Sequence, residues 1–246
     1  MAQDDRYPFV PYRPARVPLD EALRRGRAFY EQMDARRSVR HFSDEPVPRE
    51  AIELAIRTAS TAPSGAHRQP WRFVVVDDPA IKHRIREAAE AEERRSYEGR
   101  MSKEWLEALA PMRTDWHKPY LDTAPYLVVA FEEIHSFFPD GRPRKNYYVR
   151  ESVGLACGLF IAALHQMGLS TVTHTPSPMK FLGEILGRPK NERPFILFPV
   201  GYPAADAEVP DLRRKTLEEV MLWNPDGRPA ASNAEGTGSV DEPEAD

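Results

Sequence analysis

Residues 150–167 constrain the fold of this chain more than any other stretch. They hold the run Val153-Gly154-Leu155-Ala156-Cys157-Gly158-Leu159-Phe160, the most apolar helical pattern in the sequence, and Gly168 follows as a helix stop. A helix this apolar has to be covered by other elements, so the segment predicts a central helix. Covers are at hand. Residues 71–76, 126–131 and 195–200 are short apolar runs of the kind found in buried strands, and 169–173 is a further strand pattern. Helical stripes run over 19–33, 48–60 and 79–100, with shorter ones at 102–109 and 178–186; Pro48 suits a helix start and Gly187 a helix stop. Pro139-Asp140-Gly141 marks a turn. Helices and strands alternate too irregularly for a βαβ repeat. The expected class is α+β, in α/β layers, with a central helix under a sheet.

Residues 1–18 are rich in Pro and aromatics and read as an extended arm. Residues 1–223 read as a single domain whose last part, from 204, is a C-terminal extension. From 224 to 246 the chain is Pro, Gly, Ser and acids, the composition of a disordered tail. The net charge of −4 is concentrated in that tail, at Glu235, Asp241, Glu242, Glu244 and Asp246. The remaining body is nearly neutral, so no nucleic-acid surface is expected. No apolar run approaches the roughly 20 residues of a membrane span, and the first residues lack the plan of a signal peptide. A cytoplasmic protein without a membrane partner is expected. The single cysteine, Cys157, excludes an intrachain disulfide and reads as a buried structural thiol. The histidines show no metal-binding spacing, so no metal is expected.

Two segments carry the chemistry. Arg36-Arg37-Ser38-Val39-Arg40 places three guanidinium groups within five residues at a helix end. Arginine forks bind phosphate oxygens in a bidentate, permanently charged way; a solvated basic helix end is the plain alternative. One helix later, Thr61-Ala62-Pro63-Ser64-Gly65-Ala66-His67 is a turn that lets backbone N–H groups approach a flat polar ligand. A third basic cluster, Arg213-Arg214-Lys215, lies near the C-terminus. Together they point to a phosphorylated cofactor held by side chains without a glycine-rich dinucleotide loop. On the charged helix, Glu93 and Tyr97 are four residues apart and share a face. With Lys118 they offer one anion and one cation, which is what a free amino acid, a zwitterion, requires. A solvated helix of interleaved charges is the plain alternative.

The order of these motifs, with Thr171-Val172-Thr173 and Pro199-Val200-Gly201-Tyr202-Pro203, resembles the nitroreductase-type flavoprotein superfamily. The stretches Asp115-Trp116-His117-Lys118-Pro119-Tyr120-Leu121-Asp122-Thr123-Ala124-Pro125 and Val209-Pro210-Asp211-Leu212-Arg213-Arg214-Lys215 resemble its iodotyrosine deiodinase branch. The resemblance implies a nitroreductase-like fold, a central mixed sheet flanked by helices, in a homodimer whose C-terminal extensions embrace the partner subunit. It implies FMN as cofactor. Arg36, Arg37, Ser38, Arg40 and Arg214 would hold its phosphate and ring edge. Pro63 and Ser64 would line it from the other subunit. Thr173, with His174 and Thr175, would lie near its redox-active edge. Thr173 is the catalytic candidate, because a hydroxyl near flavin N5 favours one-electron steps over hydride transfer. His174, where animal relatives carry a smaller hydroxyl residue, would either perturb the flavin or turn into the packing.

The implied activity is reductive dehalogenation of a halotyrosine to tyrosine and halide by stepwise electron transfer. Glu93 would take the ammonium, Lys118 the carboxylate, Tyr97 would pack alongside, and the Ala66 N–H would hold the phenolate. The electron donor is left open, with NAD(P)H through a reductase as one route. The alternatives are an NAD(P)H-dependent nitroreductase or enone reductase of the same fold, a flavin-fragmenting relative, and a flavin- or halotyrosine-binding protein without turnover.

Overall fold

A computed structural model describes residues 7–224 of the chain, which divides into two compact units, Met1–Pro210 and Asp211–Asp246. The described part of the N-terminal arm, up to residue 18, has neither helix nor strand. Of the expected tail, 225–246 lies outside the described residues.

In the first unit the elements run α1 (Leu19–Ala35), α2 (Arg49–Ala59), β1 (Trp71–Val76), α3 (Pro79–Arg95), α4 (Lys103–Leu109), α5 (Tyr120–Thr123), β2 (Tyr126–Glu133), β3 (His135–Phe137), β4 (Pro143–Lys145), α6 (Val149–Gln166), β5 (Ser170–Thr171), α7 (Lys180–Ile185) and β6 (Glu192–Gly201). The main sheet has the order β1-β2-β6-β5, and its named strands pair antiparallel. Its mixed character comes from a parallel bridge between Ser38 and Thr171, closed by the Val39 N–H on the Thr171 carbonyl at 3.2 Å.

Strand alternation splits the core into two layers. Val128, Ala130, Phe198 and Val200 pack toward Ile52, Ala55 and Ala59 of α2 and Val153, Ala156, Phe160 and Leu164 of α6. Leu127, Val129, Phe131 and Leu197 pack on the other side, against Ile85 and Ala89 of α3, Leu121 of α5 and Leu182 of α7. The result is a sheet between two helical layers. Cys157 is buried in the first layer, where desolvation pushes its thiol up to about 12. This is an inert thiol.

The expected strand over 169–173 is shorter than its pattern. Ser170 pairs with Gly201 and Thr171 with Val200; the same register returns at His174 and Leu197, which exchange both backbone hydrogen bonds at 2.9 and 3.0 Å. Between them, Val172 falls opposite Pro199. Proline has no N–H, so the ladder loses a rung there.

The long helix expected to reach Arg100 is regular only to Arg95, and Ser96–Arg100 winds as a π-helical turn. The Ser96 hydroxyl donates to the Glu92 carbonyl at 3.1 Å, one of the local bonds that loosen a helix end. The turn at 139–141 is the tip of a β3–β4 hairpin, with Gly141 at φ 82. In the second unit, α8 (Leu217–Val220) starts at a capping box between Thr216 and Glu219.

Candidate active site

The sheet edge at β5 organises the first group of residues. Arg36 is the C-cap of α1, and with Arg37 it lines a cleft whose other walls include Ile161, His165 and Thr171. Arg37 also donates to the carbonyls of Asp34 at 2.6 Å and Arg36 at 2.9 Å. Ser38 sits on the sheet edge through its bridge to Thr171. Arg40, two residues on, is half-buried, and its charge is felt by Tyr97, Lys118, Tyr120 and His174. The arginine triplet thus runs from the cleft toward the Glu93 region.

Past Thr171 the chain stays extended and alternates in burial. Val172, His174 and Pro176 are buried, and Thr173 and Thr175 are exposed. Thr173 and Thr175 therefore share an open face. His174 faces inward, away from it. The alternation also turns the peptide group of Thr173 the same way as that of Thr171, whose carbonyl already serves Val39. The polar edge at Thr173 lies beside the rung lost at Pro199.

The turn after α2 is tightly specified. Ala66, His67 and Gln69 take positive φ values of 49°, 52° and 49°, a sparsely populated conformation that clusters at functional sites. The N–H groups of Gly65, His67, Arg68 and Gln69 bond respectively to Ser152 Oγ, the Ser64 carbonyl, the Gly65 carbonyl and Ser64 Oγ. Ala66 is exposed and its N–H is not in this set. A side chain at Gly65 would meet the Tyr147 carbonyl oxygen at 2.7 Å, so the residue must be glycine. Ser64 is half-buried and Pro63 exposed.

Glu93, Tyr97 and Lys118 come together. Lys118 Nζ lies 3.5 Å from Glu93 Oε2 and 5.8 Å from the Tyr97 ring centre. It also donates to Thr114 Oγ1 at 3.2 Å and to the Asp115 carbonyl. Tyr97 donates to the Thr114 carbonyl at 3.2 Å. The pair is buried, with side-chain exposures of 4% for Lys118 and 13% for Glu93. Burial decides both protonation equilibria: it raises Glu93 above the usual carboxylate value and lowers Lys118 below the usual amine value, in each case against the partner's attraction.

Residues that the sequence did not single out hold this cluster. Glu90 Oε1 accepts from the Lys118 N–H at 2.7 Å and from Arg86 at 2.8 Å, and Arg86 reaches Asp122 at 2.9 Å. The chain of bonds ties the segment before α5 to α3. Its sequence signal was the spacing of Arg86, Glu90 and Glu93 on one helix face. Tyr120 was also missed; its hydroxyl is 3.3 Å from His174 Nδ1, and burial pushes it well above the usual phenol value. Arg214 belongs to the second unit, between Arg213, which bonds Glu219 at 2.9 Å, and the Thr216 cap. Among the described residues no group of three His, Cys, Asp or Glu side chains is arranged to hold a metal ion, and no helix is long and apolar enough to cross a membrane.

The profile of the nitroreductase family matches residues 33–202, which contain the arginines, the turn, the Glu93–Lys118 cluster and the Thr173 edge. The chain belongs to the nitroreductase family. Among its members, an iodotyrosine deiodinase of Haliscomenobacter hydrossis is 60% identical over 214 residues, covering 87% of this chain and 96% of that one. The human iodotyrosine deiodinase 1 is 48% identical over 216 residues, covering 87% and 74%. A crystal structure of oxidised iodotyrosine deiodinase bound to FMN and 3-iodo-L-tyrosine superimposes with a TM-score of 0.68 at 33% identity, covering 79% of this nitroreductase-family chain and all of that one. A nitroreductase-like protein of Streptococcus mutans, with a TM-score of 0.59 at 20% identity, shares the fold.

Proposed function

We propose that this chain is an FMN-dependent reductive dehalogenase of halotyrosines, working as a cytoplasmic homodimer. The observation that carries the reading is the buried, oppositely charged pair Glu93 and Lys118 beside Tyr97. Small hydrophobic oxidants, the substrates of the rival nitroreductase or enone reductase reading, have no use for it. The 60% identity to an iodotyrosine deiodinase supports the same substrate class.

The donor set fits FMN. Guanidinium groups of Arg36 and Arg37 line one cleft, the Ser38 hydroxyl and the half-buried Arg40 continue the line, and the open polar edge at Thr173 suits the rim of a flat heterocycle. When bound, FMN supplies the electrons for carbon–halogen cleavage. Arg36, Arg37, Ser38 and Arg40 hold its phosphate and ring edge in this reading. Pro63 and Ser64 line it across the dimer. The hydroxyl and peptide N–H of Thr173 face its reactive edge, with Thr175 beside them.

For the substrate, Glu93 takes the ammonium and Lys118 the carboxylate, and Tyr97 closes over the aromatic ring. The Ala66 N–H binds the phenolate oxygen. Overall, one halotyrosine takes up two electrons and one proton and gives tyrosine and halide; the proton enters at the halogen-bearing carbon. The side chains orient and exclude water, and none acts as a nucleophile.

The dimer has support of its own. Leu19, Leu23, Phe29 and Tyr30 of α1 and Leu155 of α6 are exposed, and Cβ atoms built at Gly154 and Gly158 meet nothing within 4 Å. Apolar helix faces of this kind mark contact surfaces. The test of the activity is an anaerobic titration of the FMN-loaded protein with 3-iodotyrosine, followed by dithionite. Release of iodide over many cycles supports the reading. A colourless protein that refuses flavin, or a loaded one that releases no iodide, refutes it.

A further inference from the structure

His174 is a buried ionisable side chain next to the Glu93–Lys118 pair, and the proposed function gives it no task. It is 6% exposed. Nδ1 is 3.3 Å from the Tyr120 hydroxyl and 4.0 Å from Glu93 Oε1; Nε2 is buried and has no hydrogen-bond partner among the described residues. Burial, with Lys118 and Arg40 nearby, lowers its pKa to about 3, so the imidazole is neutral.

A neutral imidazole carries one proton. Placed on Nε2, that proton would be a buried donor with no acceptor. Placed on Nδ1, it lies between the Tyr120 oxygen and a buried carboxylate, and Nε2 is left with a lone pair. Each tautomer leaves one buried donor without an acceptor among the described residues, Nε2–H in one case and the Tyr120 O–H in the other, so the carboxylate 4.0 Å from Nδ1 decides: it attracts an N–H and repels a lone pair. The geometry favours Nδ1–H.

Without an amino acid present, Glu93 has Lys118 as its partner at 3.5 Å. A bound amino acid draws Lys118 to its carboxylate, and Glu93 then needs a protein donor to keep its orientation. We propose that His174 is a positioning residue for amino-acid recognition: its Nδ1–H closes from 4.0 Å onto Glu93 Oε1 and aims the other carboxylate oxygen at the ligand ammonium. This inference rests on the halotyrosine reading and adds a residue to it. His174 thereby contributes to the preference for an α-amino acid over the same phenol lacking its amine.

The test compares two ligands in three proteins. 3-Iodotyrosine and its desamino analogue, 3-(4-hydroxy-3-iodophenyl)propanoate, are titrated by calorimetry into oxidised, FMN-loaded wild type, His174→Asn and His174→Gln. Asn sets its amide N–H near the Nδ1 position, and Gln sets it near Nε2. The expected result is that Gln lowers the preference for 3-iodotyrosine by about tenfold with the desamino affinity unchanged, whereas Asn keeps the wild-type preference within about threefold. Equal loss of both ligands in the Gln variant shows a packing effect and overturns the proposal, as does an unchanged preference. Equal loss of preference in Asn and Gln also overturns it. Failure of the wild type itself to bind 3-iodotyrosine overturns the halotyrosine reading, and this inference with it.

Discussion

Lys118 is almost wholly buried, and its main partner, Glu93, is buried too. Removing one member of such a pair strands the other, which costs several kcal/mol. Glu93→Gln is therefore expected to weaken 3-iodotyrosine binding by about 100-fold, with FMN retained, as read by calorimetry on the flavin-loaded protein. Burial raises the Glu93 pKa, and the ammonium needs the ionised form. Affinity in the wild type should therefore fall as the pH drops through the Glu93 pKa, which burial sets above the usual carboxylate value. His174 has a separate signature in stability. Its folded pKa of about 3 lies below the ordinary 6.5, so the unfolded chain takes up the proton first. The stabilisation is complete above about pH 6.5 and is lost as the pH falls toward 3. Between pH 7 and pH 5 the wild type should lose about 2 kcal/mol more unfolding free energy than His174→Asn, measured by urea denaturation at both values. An equal loss in both proteins would show that His174 does not titrate on unfolding.

At the level of elements, α3 carries Glu93 and is fixed at its start by Asp78, whose Oδ1 accepts from the N–H groups of Ala80 at 2.8 Å and Ile81 at 3.0 Å. Asp78→Ala should cost about 1 kcal/mol and lower the melting temperature without changing the flavin spectrum. The start of α3, the extent of α2 and the strand at Trp71–Val76 were all legible, because caps, Pro positions and apolar runs are local signals. So were the arginine triplet and the Glu93, Tyr97 and Lys118 set, through their spacing and the family resemblance. What escaped was non-local. The gap after Thr171 depends on which residue of β6 lies opposite Val172, and only pairing puts Pro199 there. The π-helical turn after Arg95 arises from side chains that bond back to Glu92, including Arg100 at 3.0 Å. The β3–β4 strands are three residues each, too short and polar to show a period. Tyr120 and His174 lie 54 residues apart in sequence, and their contact has no local pattern.

For the whole molecule, α6 was expected to be enclosed. Its Val153, Ala156, Phe160 and Leu164 are buried, but Leu155 is 54% exposed. In the proposed homodimer, a second copy would cover the side of this helix that its own chain leaves open. If the proposed dimer forms through this face, Leu155→Arg should convert it to monomer and release FMN. Light scattering and the flavin absorbance per chain report both. A wild type that is monomeric yet fully loaded with FMN would show that the exposed face does not build the site.

In the proposed function, the Glu93–Lys118 contact makes ligand entry an exchange reaction. The resting protein already holds a self-made zwitterion, so the desolvation of both charges precedes any encounter. A guest carrying both charges swaps partners with the pair and leaves nothing stranded. A simple amine or a simple acid separates the two and satisfies one alone. On that proposal, selectivity for whole amino acids begins with an internal competitor that only a doubly charged visitor can displace.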